Sequence, residues 1–153
     1  ADLSKQVQDR VIGKYYYAVS ASKPKENGGV LEDYLLTDKK TNFTQVVDVK
    51  TVGAKKAKLE YKVVETKENN TLFDIKLHTG RQHQIRVQFA NIGCPLVGDA
   101  KYNSQQDIEG KSSFNTGLAL CSYKLEFKHP TRKTPMQFEI QPVGEGFSRF
   151  FEE

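Results

Sequence analysis

The sequence is poor in the features that anchor small secreted proteins and membrane proteins. Only two of its 153 residues are cysteines, and Cys94 and Cys121 lie far apart without a CxxC partner. This pattern argues against a zinc ligand set and against a disulfide framework. No apolar run approaches the roughly 20 residues that span a bilayer, and the N-terminus lacks the basic-then-apolar order of a signal peptide. We therefore expect a cytoplasmic protein with reduced thiols, no metal and no membrane partner.

The composition is that of one small globular domain. We find no internal repeat and no low-complexity linker, and a hydrophobic content of 37% suffices for a single modest core over residues 1–153. Lysine and arginine number 23 against 19 aspartates and glutamates, so the net charge is +4. This mild excess permits a polyanionic partner such as nucleic acid without requiring one. Because the chain opens at Ala1 without Met, a fragment or a processed product is a further expectation.

Hydrophobic periodicity predicts mostly strands. Residues 1–13 favour a short helix, in which Leu3 and Val7 share a face and Gly13 is a plausible stop. A strand is expected over 14–20, where KYYYAVS is rich in aromatic and β-branched residues. Further strands are predicted at 43–49, 57–66, 71–78, 117–130 and 134–142. VLEDYLL fits a helical turn or a short strand equally.

One helix is predicted in the second half of the chain, at about 82–92. Ile85, Phe89 and Ile92 recur at i, i+4 and i+7. Gly93 follows as a C-terminal stop. The strands are joined by a hairpin-like polar turn at 67–70 and by a long polar loop at 95–113, and FSRFF closes the chain as a helical turn. These elements indicate an α+β fold with a mixed, largely antiparallel sheet and a few short helices.

The densest chemistry lies between Leu77 and Tyr102. A strand ends there, Gly80 permits a tight turn, and the helix begins with RQHQIR crowded into its first turns. First-turn N–H groups attract anions, and added guanidinium and amide groups suit a phosphate or a carboxylate. Arg86 lies beside the apolar stripe, so its stem is half-buried and needs an anionic partner. Composition alone leaves open an ordinary helix with a structural Arg86 salt bridge and a solvated Arg81.

The segment TGRQHQIRVQFANIGCPLVGDAKY resembles the RluA-type RNA pseudouridine synthases, whose pattern is TGR, any residue, HQIR, then G-x-P-x-x-GD and a tyrosine. Three further motifs agree in order along the chain. KYYYAV is similar to the family's K-x-Y-x-A-x motif, AKLEYKVV to its A-x-L-x-Y strand, and LEFKHP to its L-x-F-x-HP strand. The resemblance covers nearly the whole chain and implies the pseudouridine synthase catalytic fold.

The resemblance also implies an activity, the conversion of specific uridines in structured ribosomal or transfer RNA to pseudouridine without cofactor or metal. The family's nucleophile is an aspartate in an R-L-D-x-x-T-S-G type motif, which we do not find in this sequence. No aspartate here has that context, and Asp99 matches a family position that we interpret as structural, ending a loop. The chain is therefore expected to be the C-terminal part of a catalytic domain, inactive alone.

Two residues are implied to be catalytic. Arg86 corresponds to the family arginine that pairs with the catalytic aspartate and holds it ionised and oriented. Tyr16 corresponds to the tyrosine that stacks on the flipped base and takes part in proton transfer at the isomerised base. The alternative for Tyr16 is a core tyrosine, and with Tyr15 and Tyr17 beside it the assignment could slip by one.

RNA contacts are implied for Arg81, His83 and Gln84, which are expected to face the RNA backbone or the cleft, and for Lys14 as a phosphate contact. His83 could equally be a capping or core histidine, and Lys14 a solvated lysine. The remaining histidines and both cysteines are interpreted as structural: His78, His129, Cys94 and Cys121. A positive cleft that offsets the cost of base flipping predicts salt-sensitive binding.

Three hypotheses follow for the function. The chain belongs to an RNA-modifying enzyme, it is a non-catalytic RNA-binding module, or it is a small basic β-rich domain whose motifs are merely structural. A partial sheet with an exposed edge further predicts self-association or strand exchange. The sequence does not choose among RNA targets or indicate whether an S4-like domain lies upstream.

Overall fold

The computed structural model describes residues 11–103, 117–128 and 135–139, together with Phe147 and Phe150. A seven-stranded sheet dominates these ranges, with the order β3-β2-β4-β5-β1-β6-β7 and antiparallel pairing between all neighbours. The strands are β1 (Val11–Ser20), β2 (Gly28–Asp38), β3 (Phe43–Val47), β4 (Lys55–Lys67), β5 (Asn70–Leu77), β6 (Leu120–Lys128) and β7 (Pro135–Glu139). A helix, α1 (Gln84–Asn91), follows β5 in the chain.

The α+β class with a largely antiparallel sheet is confirmed. The undecided segment VLEDYLL is strand, as part of β2, and the other predicted strands are present with ends shifted by a few residues. The predicted long loop is described only as far as Asn103, and of the closing turn only Phe147 and Phe150 are described.

The start of β1 corrects one prediction. Gly13 does not end a helix but lies inside the strand, which already begins at Val11. Its pairing with β6 is irregular between these two residues, and a glycine inside a strand often marks such an irregularity. A Cβ on Gly13 would lie 2.7 Å from a ring carbon of Tyr15. The rest of the predicted first helix, residues 1–10, lies outside the described residues.

The hairpin between β4 and β5 has the predicted turn. Lys67 pairs with Asn70, which leaves a two-residue loop. Both loop residues are left-handed, Glu68 with φ 51° and Asn69 with φ 70°. Two positive φ values in a two-residue loop match the right-handed twist of the flanking strands, so this loop fixes the register of β4 against β5.

Helix α1 forms where the apolar spacing predicts it and lies on one face of the sheet. Gly93, with φ 82°, follows its end as the predicted stop. Phe89 is fully buried and packs edge-on against Phe73 and Tyr61, at ring-centroid distances of 4.8 and 5.6 Å. The cluster continues into the alternate, buried residues of the sheet: Ala18, Leu59 and Ile75. This face therefore holds the main core.

The opposite face carries a second, smaller cluster. Val19, Leu72 and Ala119 are buried there together with Phe147. No helix in the described part of the chain is long and apolar enough to cross a membrane.

The aromatic cluster under α1 predicts a large cost of truncation. We expect Phe89→Ala to lower the free energy of unfolding by roughly 3–5 kcal/mol, because it empties the space between Phe73 and Tyr61. Val52→Ala is the control, since Val52 is 94% exposed, and we expect it to change stability by less than about 0.5 kcal/mol. Urea unfolding followed by circular dichroism measures both. Equal midpoints for the two variants would show that the core lies elsewhere.

Candidate active site

A cleft of about 290 Å³ opens where β1 and β5 meet the start of α1. The sheet contributes Tyr16 and Leu77, and the helix start contributes His83, Gln84, Ile85 and Arg86. Leu118 and Leu120 complete the wall. The volume is at the lower end of the range for small-ligand sites, roughly 300 Å³ and above, and the lining combines an apolar wall with a few polar groups.

The structure brings Tyr16, rather than its tyrosine neighbours, to this cleft. Side chains alternate between the two faces of a strand, and Tyr16 packs beside the core under α1. Tyr17 stacks on Tyr123 on the other face, with ring centroids 3.8 Å apart. The pairing of β1 with β6 shifts between Tyr15 and Tyr16, and such irregularities often redirect a side chain beside an active site.

Arg86 is held by a carboxylate of this chain. Its Nε donates to Oδ2 of Asp99 at 3.1 Å and its Nη2 to Oδ1 at 2.8 Å, which is the bidentate geometry of strong guanidinium–carboxylate pairs. The Asp99 side chain is fully buried and that of Arg86 is 19% exposed. Hydrogen bonding to Asp99 raises the pKa of Arg86, against the opposing effect of burial, so the guanidinium stays charged.

The Arg86–Asp99 pair differs from the partner expected for Arg86 and agrees with the structural role expected for Asp99. A partner for Arg86 was expected from a carboxylate outside this chain, whereas Asp99 already occupies two of its nitrogens. Among the described residues, no acceptor reaches Nη1. Asp99 also accepts the backbone N–H groups of Lys101 at 3.2 Å and Tyr102 at 3.1 Å, so it closes the loop as expected of a structural aspartate.

Tyr102 joins the cleft to the sheet. The Arg86 guanidinium carbon lies 5.0 Å from the centroid of its ring, within range of a cation–π interaction. Its hydroxyl oxygen accepts the backbone N–H of Thr44 at 3.1 Å and lies 2.7 Å from Nδ1 of His83. The two groups share a hydrogen bond, and the tautomer of the His83 ring decides which of them donates.

His83 precedes α1 in a strained conformation. Its φ of 54° and ψ of 23° are left-handed, and its side chain makes no capping hydrogen bond. Left-handed backbone outside glycine is sparsely populated and is found at functional sites more often than elsewhere. Burial lowers the pKa of His83, and the nearby Arg86 and Lys101 charges lower it further. The ring that lines the cleft is therefore neutral near neutral pH.

Gln84 is placed as a structural residue. It is buried, and its Oε1 accepts hydrogen bonds from Thr79 Oγ1 at 2.8 Å and from the Arg81 backbone N–H at 3.0 Å. Its Nε2 donates to the Lys58 carbonyl at 3.1 Å and to Gln88 Oε1 at 3.0 Å. Since both amide atoms are satisfied inside the protein, the position of Gln84 does not support the expected RNA contact.

Arg81 lies in the turn before α1 and Lys14 in β1, and neither residue lines the cleft. Arg81 is exposed, and its Nε donates to the Lys56 carbonyl at 2.8 Å. The Lys14 Nζ lies 3.2 Å from the place that a Cβ on Gly80 would take. Both cations therefore flank the glycine turn, on the path towards the cleft.

The described residues that we interpreted as structural, His78, Cys94 and Cys121, do not line the cleft. His78 Nε2 lies 3.0 Å from a carboxylate oxygen of Glu60. Cys94 is buried and Cys121 half-buried, and both are free thiols. His129 lies outside the described residues. Within the described ranges, no three or more histidine, cysteine or acidic side chains converge as a metal site would require.

The sequence interpretation missed the contribution of Asp99 and Tyr102 to the site itself. The available signal was their position in VGDAKY, the part of the matched pattern that follows TGRQHQIR. An acidic residue and a tyrosine that share one motif with an unpartnered half-buried arginine are candidates for its partners.

The Arg86–Asp99 pair predicts strong coupling between the two side chains. We expect Asp99→Ala to cost roughly 3–5 kcal/mol of unfolding free energy, because it leaves a half-buried guanidinium without its anion. The double variant Asp99→Ala/Arg86→Ala should cost about 1–3 kcal/mol less than the two single variants added together. Denaturant unfolding of the four proteins measures this, with Glu26→Ala as the control, since Glu26 is exposed. Strict additivity would mean that the pair contributes nothing.

The pKa of His83 predicts a loss of stability in acid. The folded-state pKa is lowered, so below the unfolded value of about 6.5 the unfolded chain binds a proton that the folded chain does not. Stability is thus fully present above that pH and falls as the pH drops towards the folded pKa. His83→Asn, which tolerates the left-handed backbone, should remove this part of the loss in unfolding measurements across that range. An NMR titration midpoint above the unfolded value would contradict the assignment.

The comparisons with known proteins agree with one another. A family model described as RNA pseudouridylate synthase matches residues 1–91. An uncharacterized RNA pseudouridine synthase of Aquifex aeolicus (strain VF5) is 34% identical over 148 residues, which cover 92% of this chain and 45% of that protein. Ribosomal large subunit pseudouridine synthase D of Nitrosomonas europaea is 33% identical over 132 residues, 84% of this chain and 37% of that protein.

The chain spans less than half the length of these curated relatives. A solved structure, human RNA pseudouridylate synthase domain containing 4, superposes with a TM-score of 0.72 at 20% identity, covering 93% of this chain and 64% of that one. This likeness shows the shared fold. On the family match and on these relatives together, the chain belongs to the RluA-type RNA pseudouridine synthase family.

Proposed function

We propose that this chain is the C-terminal part of the catalytic domain of an RNA pseudouridine synthase that isomerises specific uridines. The observation that carries the proposal is the cleft in which Tyr16 and Arg86, from separate parts of the chain, line one wall each. Membership of the family supports the same reaction.

The reaction breaks the bond between N1 of uracil and C1′, turns the base, and forms a bond between C5 and C1′ while the C5 proton is released. It uses a carboxylate nucleophile. No R-L-D-x-x-T-S-G motif occurs in the 153 residues, so we propose that this carboxylate is carried by residues outside them. Asp99 fixes Nε and Nη2 of Arg86, and Nη1 is the donor that would orient the incoming nucleophile.

Tyr16 supplies a ring and a hydroxyl to the proposed base site. The ring would stack on the uracil taken out of its helix, and the hydroxyl would take part in the proton transfer at the isomerised base. Leu77, Ile85 and Leu120 provide an apolar wall, which keeps water from the reacting base and strengthens the electrostatic effect of Arg86. Neutral His83 lines the cleft, where its ring would contact the base or a phosphate.

We propose that the partner is structured RNA. Lys14 and Arg81 flank the turn beside the cleft and would contact phosphates, in keeping with a net charge of +4. Relatives named as ribosomal large subunit pseudouridine synthases favour ribosomal over transfer RNA. We propose action in the cytoplasm, and self-association through the outer edge of β3, the first strand in the sheet order.

A non-catalytic RNA-binding module is the second candidate. It is favoured by the fact that Arg86 already has an internal carboxylate partner and that the chain carries no nucleophile motif. Under this alternative the cleft would dock a nucleotide without chemistry. RNA binding without turnover by the natural protein that contains this chain would establish it.

The enzyme hypothesis predicts that substitutions at two adjacent tyrosines affect turnover differently. In the natural protein that contains this chain, Tyr16→Phe should lower the turnover of RNA labelled with tritium at uracil C5 by about 10²-fold or more, because it removes the hydroxyl used in proton transfer. Tyr15→Phe is the matched control and should leave turnover unchanged, since Tyr15 points away from the cleft. Tritium release under single-turnover conditions measures both.

Two outcomes would count against these roles. Wild-type turnover by Tyr16→Phe would remove its hydroxyl from the mechanism. For Arg86, the variant Arg86→Gln/Asp99→Asn keeps a neutral hydrogen-bonded pair, so it separates catalysis from folding. If this double variant folds and retains full turnover, Arg86 does not orient the nucleophile.

A further inference from the structure

A second groove lies outside the proposed catalytic cleft. This groove, of about 480 Å³, runs between the end of β2, the residues that lead into β4, and the turn before α1. Leu35 and Leu36 of β2 contribute to its lining, and its rim carries the cationic side chains of Lys39, Lys55 and Arg81. Neither the fold nor the catalytic proposal gives this groove a role.

The three rim cations are exposed, and within the described residues none of them forms an ion pair. Other lysines of the sheet differ in this respect. Lys56 and Lys58 both lie within 4 Å of a Glu32 carboxylate oxygen, at 3.7 and 3.8 Å. The positive charge of the groove is therefore not neutralised locally, which favours an anionic ligand.

Hydrogen bonds hold residues in and beside the groove in place. Arg81 is anchored through Nε to the Lys56 carbonyl at 2.8 Å, which restricts its guanidinium before any ligand binds. An anchored arginine loses less side-chain entropy on binding a phosphate than a free one. Across the groove, Asn42 of the β2–β3 turn is hydrogen-bonded by Gln82 and by Lys101, which ties this turn to the start of the helix.

The groove and the cleft share one short turn. Gly80, Arg81 and Gln82 line the groove, and the next residues, His83 and Gln84, line the cleft. A nucleic-acid strand that crosses this turn would occupy both sites. The cations of the rim also suit the phosphates along such a strand, since proteins bind single strands with positively charged grooves that follow the backbone.

We infer that this groove is a second RNA site, in which Lys39, Lys55 and Arg81 bind phosphates of the nucleotides that flank the target uridine. The inference rests on the proposed function, because it takes the ligand of the cleft to be RNA. It goes further in assigning substrate recognition to the β2–β3 turn and to the start of β4, which hold no part of the matched TGRQHQIR motif.

The test is the salt dependence of RNA binding by the natural protein that contains this chain. The probe is a fluorescein-labelled RNA hairpin with a uridine-rich loop, titrated by fluorescence anisotropy at a series of potassium chloride concentrations. Lys39→Gln/Lys55→Gln should make the slope of log affinity against log salt shallower by about 1–2, one phosphate contact being worth roughly 0.7–0.9. Affinity at low salt should fall at least about tenfold, with an unchanged circular dichroism spectrum.

The matched control is Lys23→Gln/Lys25→Gln, which removes the same charge from exposed positions before the other end of β2. An 11-residue strand separates its ends by about 33 Å. We expect this control to keep the wild-type slope. Equal slopes for both double variants would overturn the proposed role of the groove and leave RNA as the ligand of the cleft. A wild-type natural protein that binds no RNA would overturn the proposed function as well. Polyglutamate serves as a second probe, an acidic polymer without phosphates. If Lys39→Gln/Lys55→Gln lost binding to polyglutamate but bound RNA as the wild type does, the groove would be a site for an acidic protein and the inference would be wrong.

Discussion

The ion pair between Arg86 and Asp99 is the contact on which the site depends. One buried carboxylate neutralises the guanidinium of α1 and also accepts two backbone N–H groups of its own loop. That loop geometry sets the Tyr102 ring beside Arg86 and its hydroxyl beside His83. A buried pair of this kind repays its desolvation only when the remaining lone pairs are satisfied, and Asp99 meets that condition with backbone donors.

A second polar network secures the same helix to the sheet. Gln84 and Gln88 are buried in α1 and hydrogen-bonded to each other. Gln84 continues to the Lys58 carbonyl, and Gln88 to a carboxylate oxygen of Asp33 at 2.9 Å. Satisfied buried polar networks specify one arrangement of packed elements, since any shift leaves donors or acceptors unpaired. The aromatic cluster around Phe89 supplies the burial energy of α1, and the glutamines fix its position.

Local patterns were enough to predict much of the fold, and long-range contacts account for what they missed. The strand around KYYYAVS and the helix around Phe89 have apolar spacing that can be read within one element. VLEDYLL could not be assigned because its strand character depends on pairing with β3 and β4. The resemblance to the family pointed to Tyr16 and Arg86, and the internal partner of Arg86 emerges only once the loop folds back. The burial of Gln84 is likewise a tertiary effect, because its amide donates to the Lys58 carbonyl of β4.

The place of β1 in the sheet has a consequence for the order of assembly. β1 comes first among the described strands, yet its neighbours are β5 and β6, which follow much later in the chain. The hairpins that link β2 to β3 and β4 to β5 join strands that are close in sequence. The pairing of β1 with β5 and β6 joins strands that are far apart in sequence, so it closes long loops at a larger entropic cost. These long-range contacts predict that the strand that carries Tyr16 is among the last to gain neighbours on both edges, so that the cleft forms after the rest of the sheet.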